Sequence, residues 1–236
     1  MSSSIDERSA APSRTWTQWW NRTRYQLYAP IYDVVARPLE AGRRRAIERL
    51  DLEPGDRVLI VGCGTGADLT SLPDGVEGTA IDTAPAMVRR TRRRAEALGR
   101  DVDARVGDAQ ALPFEENSFD AVLLHLIVSV VPEPQAVVEE AARVLAPDGR
   151  VSIYDKFVPE GTKPSLLRRA LNPVARFLFS DLTRELGPLL ERAGLKEEEA
   201  RESELGGLYT IAVAHLADEG WGEASSASGA TVEPVQ

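Results

Sequence analysis

The sequence predicts an α/β fold, a doubly wound and mostly parallel sheet of seven strands that ends in an antiparallel carboxyl-terminal hairpin. Short apolar runs alternate with helical segments over residues 51–155, and this alternation is typical of a parallel sheet with right-handed crossovers. Further on, residues 196–204 and 208–214 flank Gly206 and Gly207, which predicts the hairpin. In such a sheet, ligands bind at the carboxyl ends of the parallel strands.

Length and composition fit one globular domain with a helical segment ahead of it. The 236 residues are 43% hydrophobic and 28% charged, as is usual for a globular protein. The formal net charge of −9 argues against a general nucleic-acid surface, because phosphate binding needs a basic face. The single cysteine, Cys63, cannot form an internal disulfide, and no apolar run has the length of a membrane span. We therefore expect a cytoplasmic protein, with peripheral membrane contact left open.

Shifts in composition divide the chain into four segments. Residues 1–13 are rich in serine and lack apolar periodicity, which predicts a disordered lead. Residues 14–50 carry helical patterns, the last of them a proline-initiated helix that ends at about Leu50, and we expect this segment to lie over the ligand. Residues 51–217 form the ligand-binding domain, and the composition of residues 218–236 predicts a disordered, acidic tail.

The central motif is Val58–Ala67, which reads Val-Leu-Ile-Val-Gly-Cys-Gly-Thr-Gly-Ala. Its apolar residues suit a strand buried on both faces of a parallel sheet, and its glycines form a turn that approaches a ligand closely. Asp82 ends the next apolar run, where a carboxylate accepts hydrogen bonds from ribose hydroxyls. An adenosine-like ligand is therefore expected. Because Gly62 to Ala67 also satisfies the G-x-G-x-x-G/A dinucleotide pattern, a nicotinamide-dependent oxidoreductase remains an alternative.

Five segments in order resemble the class I S-adenosylmethionine-dependent methyltransferases, whose fold is Rossmann-like. Together they cover roughly residues 45–215, which makes the resemblance far more specific than the glycine loop alone. The segments are Gly62–Gly66, Ile81–Met87, Val106–Phe114, Ser118–Leu124 and Arg143–Val151.

This resemblance implies an enzyme that uses S-adenosylmethionine as its cofactor. The three glycines of the loop pass by the methionine portion, and Asp82 holds the ribose. Asp108 accepts a hydrogen bond from the exocyclic amine of adenine, with the backbone of Ala109 beside the ring. Met87 either flanks the adenine or packs as a plain core residue. The implied cofactor-binding residues are Gly62, Gly64, Gly66, Asp82, Met87, Asp108 and Ala109.

Candidate catalytic residues lie at the ends of the fourth and fifth predicted strands. His125 could take a proton from an acceptor hydroxyl or ammonium, although a strand-end histidine is more often packed or hydrogen-bonded. Tyr154 and Asp155 are similarly placed, whereas His215 follows the last strand and is expected to be structural. Methyl transfer needs no metal, and no histidine or cysteine spacing typical of a metal site is present.

The methyl acceptor is expected to be a small molecule or a lipid. The segment after the fourth strand reads Leu124-His-Leu-Ile127, so it lacks the Asn-Pro-Pro-Tyr of amide-nitrogen methylases, and the Pro-Cys nucleophile of cytosine methylation is missing as well. Tyr28–Asp33 and Glu40–Glu48 resemble bacterial phosphatidylethanolamine N-methyltransferases and quinone-methylating relatives. A soluble quinone-like or aromatic acceptor, and a non-catalytic cofactor-binding protein, remain alternatives.

Two further stretches combine apolar side chains with arginines. Trp16, Trp19 and Trp20 share one helical stripe near Arg14, Arg22 and Arg24, which favours either packing over the ligand or an interfacial membrane anchor. Leu166–Phe179 belongs to a long connection beside the binding edge, as functional lids often do.

Overall fold

A computed structural model of the chain describes residues 39–158, 184–198, 202–204 and 208–217. Its strands are β1 (Arg57–Val61), β2 (Glu77–Asp82), β3 (Val102–Val106), β4 (Phe119–His125), β5 (Leu145–Asp155), β6 (Leu195–Glu197), β7 (Glu202–Glu204) and β8 (Tyr209–Leu216). Its helices are α1 (Glu40–Glu48), α2 (Pro85–Leu98), α3 (Pro134–Val144) and α4 (Gly187–Arg192), with a 3₁₀ turn at Ala67–Thr70.

One sheet runs in the order β3-β2-β1-β4-β5-β8-β6, with β7 also paired to β8. Strands β1 to β5 are parallel, and β8 lies antiparallel to β5. Strand β6 pairs with the end of β8, as Leu195 with Leu216, and β7 with its start, as Glu204 with Tyr209. Both short strands lie along the edge of β8 that β5 leaves open, so they fill one position in the sheet. The sheet therefore has seven positions and an antiparallel hairpin, and the predicted fold class is confirmed.

The two faces of the sheet carry two separate apolar layers. On β1, Leu59 and Val61 face the layer that contains α3 and α4, whereas Val58 and Ile60 face the layer that contains α1 and α2. This alternation is what a strand covered by helices on both sides requires. All four of these side chains are at most 1% exposed. The carboxyl ends of β1 to β5 therefore meet at one edge between two packed layers.

The sequence predicts the bounds of one helix well and those of another less well. Pro85 predicts the start of a helix that runs to about Leu98. Helix α2 spans these residues, with Pro85 in its first turn and Gly99 in the left-handed conformation (φ +64°) at its end. Ser180 offers a capping signal that predicts a helix from about Asp181 to Ala193, and the observed helix α4 is shorter. It begins only at Gly187, because the backbone carbonyl of Arg184 accepts a hydrogen bond from the N–H of Val158 (2.8 Å) and so belongs to an extended connection.

Several predictions fall on residues outside the described ranges. These are the disordered lead and tail, the tryptophan-rich stripe with Trp16, and the Leu166–Phe179 lid. Within the described ranges, no helix has the length and apolar character needed to cross a membrane.

Candidate active site

The glycine loop follows β1 and turns sharply at the carboxyl edge of the sheet. Gly62, Gly64 and Gly66 all have positive φ, at +70°, +54° and +77°. A Cβ on Gly62 would lie 2.6 Å from Cδ1 of Ile127, and one on Gly66 would lie 3.1 Å from Cα of Thr91. In front of Gly64, by contrast, the one described atom that a Cβ would meet is the Gly62 carbonyl oxygen, at 3.9 Å. Among the described residues, the loop therefore packs tightly at its two outer glycines and leaves space at its centre.

Asp82 ends β2 and holds the glycine loop from the neighbouring strand. Its Oδ2 accepts a hydrogen bond from the N–H of Gly64 (2.9 Å), and its Oδ1 accepts one from the N–H of Ala84 (2.8 Å). Burial raises the pKa of this carboxyl, while the two backbone N–H groups act in the opposite direction. Each carboxylate oxygen keeps a further lone pair, so Asp82 can brace the loop and accept from a ribose hydroxyl together. That second role stays a prediction.

Thr65, in the centre of the loop, is a residue that the sequence analysis did not single out. Its side chain is 5% exposed, and its hydroxyl has no hydrogen-bond partner among the described residues. A buried hydroxyl without a partner costs free energy, so it marks a place where a polar ligand group fits. The signal was present in the Gly-Thr-Gly motif, but sequence does not reveal which hydroxyls are satisfied.

The segment after β3 brings Asp108 to the same edge. The N–H of Gly107 donates to the backbone carbonyl of Asp82 (3.1 Å), which ties this segment to the end of β2. Oδ1 of Asp108 accepts from the backbone N–H and from Nε2 of Gln110, at 3.0 and 3.1 Å. Ala109 is buried in the layer that contains α3. The structure therefore places Asp82 and the Val106–Phe114 segment side by side, and the contact of Asp108 with adenine stays a prediction.

Met87 lies at the start of α2, close in sequence to Asp82. It is 4% exposed and packs with Ala84 in a small cluster that is separate from both main apolar layers. A plain core methionine would belong to one of those layers. This position favours the cofactor-flanking interpretation, which remains a prediction.

A buried polar network lies beneath the loop on the α1 side. Nη1 of Arg43 donates to both carboxylate oxygens of Asp68, at 2.8 and 2.7 Å. Nδ1 of His125 lies 2.7 Å from Oδ1 of Asp68, and its Nε2 lies 3.0 Å from Oγ of Ser152. The Ser152 hydroxyl also donates to the backbone carbonyl of Ala46 (2.9 Å). The network joins α1, the 3₁₀ turn, β4 and β5.

Asp68 is charged within this network. Burial alone would raise the pKa of its carboxyl, but the charges and hydrogen bonds of Arg43 and His125 hold that pKa well below its usual range. Sequence reasoning gave no sign of this cluster, because its members are far apart in the chain.

The three candidate catalytic residues are all buried. The two ring nitrogens of His125 bond to Asp68 and Ser152, which favours the hydrogen-bonded alternative, and its role as a general base stays a prediction. Burial raises the pKa of Tyr154 to about 12. Asp155 accepts hydrogen bonds from the N–H groups of Ser129 and Lys156, both at 2.8 Å, and burial raises the pKa of its carboxyl. His215, expected to be structural, pairs with Lys196 between β8 and β6.

The fold and the loop together define an α/β enzyme with a site for an adenosine-like cofactor. The space at Gly64 among the described residues, the Thr65 hydroxyl, and the carboxylates of Asp82 and Asp108 at one edge of the sheet fit S-adenosylmethionine, which offers a charged amino acid end, a ribose and an adenine. The residues that would hold it are Gly62, Gly64, Thr65, Gly66, Asp82, Met87, Asp108 and Ala109.

Comparisons with known proteins identify the family of the chain. The family described as "Methyltransferase domain" matches residues 59–153. A phosphatidylethanolamine N-methyltransferase of Cereibacter sphaeroides is 35% identical over 170 residues, which cover 71% of this chain and 77% of that protein. A demethylmenaquinone methyltransferase of Renibacterium salmoninarum is 37% identical over 133 residues, 54% of each chain. The solved structure of a Bacillus halodurans protein described as a methyltransferase has a TM-score of 0.64 at 19% identity, covering 75% of this chain and all of that one.

The chain belongs to the class I S-adenosylmethionine-dependent methyltransferases. It is therefore an enzyme whose cofactor is S-adenosylmethionine. It spans about three quarters of the first of these relatives (77%) and about half of the second (54%).

Proposed function

We propose that this methyltransferase acts on a lipid acceptor, and that the methylated group is a phospholipid amine. The observation that carries the proposal is the lack of an accessible base among the described residues at the ends of β4 and β5. His125 is hydrogen-bonded at both ring nitrogens, and Asp155 is fully buried and holds two backbone N–H groups.

Bound S-adenosylmethionine supplies a methyl group on a sulfonium, which a lone pair of the acceptor displaces. An amine has such a lone pair once it has lost a proton to water, whereas a hydroxyl or a carbon must lose its proton in the site. A site that contributes alignment and water exclusion rather than a base therefore suits an amine. This argument favours N-methylation.

We place the acceptor beside the apolar cluster of β5 and β8, which suits an acceptor with apolar parts. Leu126 and Leu208 pack against the buried Tyr154–Tyr209 cluster. Leu126 has φ +59°, a strained conformation for leucine that persists only where the surroundings impose it. Nζ of Lys156 lies 5.4 Å from the centre of the Tyr209 ring, so a positive charge lies beside this apolar cluster. A phospholipid with an amine head group suits this combination, because its phosphate matches the positive charge and its apolar parts match the cluster.

Similarity to named relatives supports two acceptors. The Cereibacter sphaeroides relative is named for phosphatidylethanolamine, and the Renibacterium salmoninarum relative for demethylmenaquinone. A quinone-like acceptor is therefore the second candidate. Peripheral membrane contact through Trp16, Trp19 and Trp20 is part of the proposal, and these residues lie outside the described ranges.

Methyl transfer from labelled S-adenosylmethionine to defined vesicles tests the proposal. We expect label in the lipid fraction when vesicles contain phosphatidylethanolamine, and none when phosphatidylcholine, which has no N–H, replaces it. Vesicles with a demethylated menaquinone in phosphatidylcholine form the third arm. Label only in that arm would overturn the amine proposal in favour of the quinone, and no label in any arm would overturn both. Calorimetric binding of S-adenosylhomocysteine checks that the protein in the assay is folded and binds its cofactor product. NADH is the comparison ligand, because a nicotinamide-dependent enzyme would bind it in preference.

A flotation assay tests the membrane contact separately. Wild-type protein should float with anionic vesicles at low salt, and a variant with Trp16, Trp19 and Trp20 all changed to alanine should not. A wild-type protein that stays in the soluble fraction would end this part of the proposal.

A further inference from the structure

Gln110 is bound to Asp108 on one side and to the start of α3 on the other. Its Nε2 donates to Oδ1 of Asp108 (3.1 Å), and its Oε1 accepts from the backbone N–H of Glu133 (3.2 Å). Because the Glu133 N–H is a donor, the carbonyl end of the amide must face it. The NH₂ end therefore faces the carboxylate of Asp108.

This side-chain amide fixes which oxygen of Asp108 is available. Oδ1 receives both the backbone N–H of Gln110 and its Nε2, whereas no hydrogen bond within the described part of the chain goes to Oδ2. The second oxygen is then the acceptor offered to a ligand. Without the Nε2 contact, only the backbone N–H would restrain the carboxylate.

The rest of the segment is held independently by two other residues of α3. Oε2 of Glu140 accepts from the N–H of Leu112 (2.6 Å), and Arg143 donates to the carbonyls of Leu112 and Phe114, at 3.1 and 2.8 Å. Arg143 and Glu140 also pair with each other at 2.7 Å. A change at Gln110 therefore leaves these anchors of the segment in place.

We infer that Gln110 is a positioning residue that makes the cofactor site select adenine over a 6-oxo purine. Its side-chain amide holds Oδ1 of Asp108, so that Oδ2 is oriented to accept a hydrogen bond from an exocyclic amine. A 6-oxo purine presents a carbonyl at that position, and a carboxylate oxygen repels it. This inference rests on the proposed contact of Asp108 with adenine.

Calorimetric binding of two ligands tests it. S-adenosylhomocysteine carries the exocyclic amine, and S-inosylhomocysteine carries a 6-oxo group in its place. We expect Gln110→Met, which keeps the length but removes the amide, to weaken S-adenosylhomocysteine by about 3- to 10-fold, the scale of one hydrogen bond. Its affinity for S-inosylhomocysteine should stay within about 2-fold or rise, so that the preference for adenine falls. Gln110→Asn, which is too short to span the gap, should change the preference in the same direction.

Two further variants separate the possible failures. Asp108→Asn should remove most of the preference; if it leaves the preference unchanged, the contact of Asp108 with adenine is wrong and the inference falls with it. If Asp108→Asn lowers the preference but neither Gln110 variant does, only the role of Gln110 is overturned. Equal weakening of both ligands by Gln110→Met would also overturn it, because that is the result of a general structural defect.

Gln135→Met is the matched control, since Gln135 lies on α3 and bonds to Glu139 and Leu189 instead, and it should leave the preference unchanged.

Discussion

Oδ2 of Asp82 and the backbone N–H of Gly64 form a hydrogen bond of 2.9 Å between the end of β2 and the centre of the glycine loop. The residue proposed to hold the ribose therefore also shapes the turn proposed to cradle the methionine portion. Loss of this carboxylate should weaken cofactor binding in two ways. It removes a contact with the cofactor, and it removes a hydrogen bond that holds the glycine loop.

Asp82→Ala should weaken binding of S-adenosylhomocysteine by about 1.5 to 3 kcal/mol, because a charged acceptor is lost. Isothermal calorimetry measures this affinity directly. Asp103→Ala is the matched control, since Asp103 is a half-exposed carboxylate on β3 that pairs with Arg105. Unchanged affinity in a folded Asp82→Ala protein would remove Asp82 from the site.

Gly64→Ala and Gly66→Ala should separate binding from folding. Both alanines adopt positive φ, which costs about 1 to 2 kcal/mol each. Only the Gly66 variant also brings its Cβ to 3.1 Å from the Thr91 backbone, so it should have the larger loss of unfolding free energy. The Gly64 variant should lose more cofactor affinity, because its Cβ enters the open space of the loop. Urea denaturation and calorimetry give the two quantities, and the reverse ranking would mean that the ligand lies elsewhere.

Thr65→Val should leave stability unchanged or slightly higher, because it removes a buried hydroxyl that has no partner among the described residues. The same variant should lower the affinity for S-adenosylhomocysteine by about 3- to 10-fold, the scale of one hydrogen bond. Thr70→Val is the control, since the exposed Thr70 hydroxyl donates to the carbonyl of Ala67 (2.9 Å). A stable Thr65→Val protein with normal affinity would show that its hydroxyl does not face the cofactor.

His125→Gln should lower the unfolding free energy by about 1 to 3 kcal/mol, because it disturbs buried hydrogen bonds to Asp68 and Ser152. We expect kcat to stay within a few-fold of wild type and the acidic limb of the pH–rate profile to keep its position. A folded variant that loses about 100-fold or more in kcat would instead identify His125 as the general base.

Asp68→Asn should cost about 3 to 5 kcal/mol at neutral pH, since it breaks a buried ion pair with Arg43. Because the folded-state pKa of Asp68 lies below its unfolded value, its contribution is present above the unfolded pKa of about 3.9 and is lost as the pH falls toward the folded pKa. The stability difference between wild type and variant should therefore be fully present at pH 5 and shrink below about pH 4. Urea denaturation across this range measures it, with the exposed Asp74→Asn as a control that should show no difference. A difference that shrinks already between pH 7 and pH 5 would contradict the assignment.

The parts of the fold that local signals determine were predictable from sequence. Pro85 and Gly99 mark the ends of α2, and the alternation of strands and helices determines the parallel order. Asp82 was singled out because it ends the strand that follows the glycine loop. Asp108 was singled out because its segment resembles one found in the methyltransferases, and the contacts of both carboxylates with the cofactor stay predictions.

The parts that depend on contacts between distant residues were not predictable. Arg43, Asp68 and His125 become neighbours only after α1 packs on the sheet, and no periodicity reveals that pairing. For the same reason the sequence could not decide between an accessible base and a packed histidine at His125, whose two ring nitrogens are hydrogen-bonded in the fold. The start of α4 was misplaced because Ser180 offered a capping signal that the connection from Val158 overrides.

Strand β8 lies between β5 and β6 in the sheet, and this position affects the order in which the strands can pair during synthesis. β6 precedes β8 along the chain, yet β8 stands between it and β5. The nascent chain can therefore pair β1 to β5 while the outer edge of β5 is still bare, and that edge is covered only when residues 209–216 leave the ribosome. The loop of Gly64 and the carboxylates of Asp82 and Asp108 belong to the part that emerges first. During that interval the bare edge of β5 is open to pairing with strands of other chains.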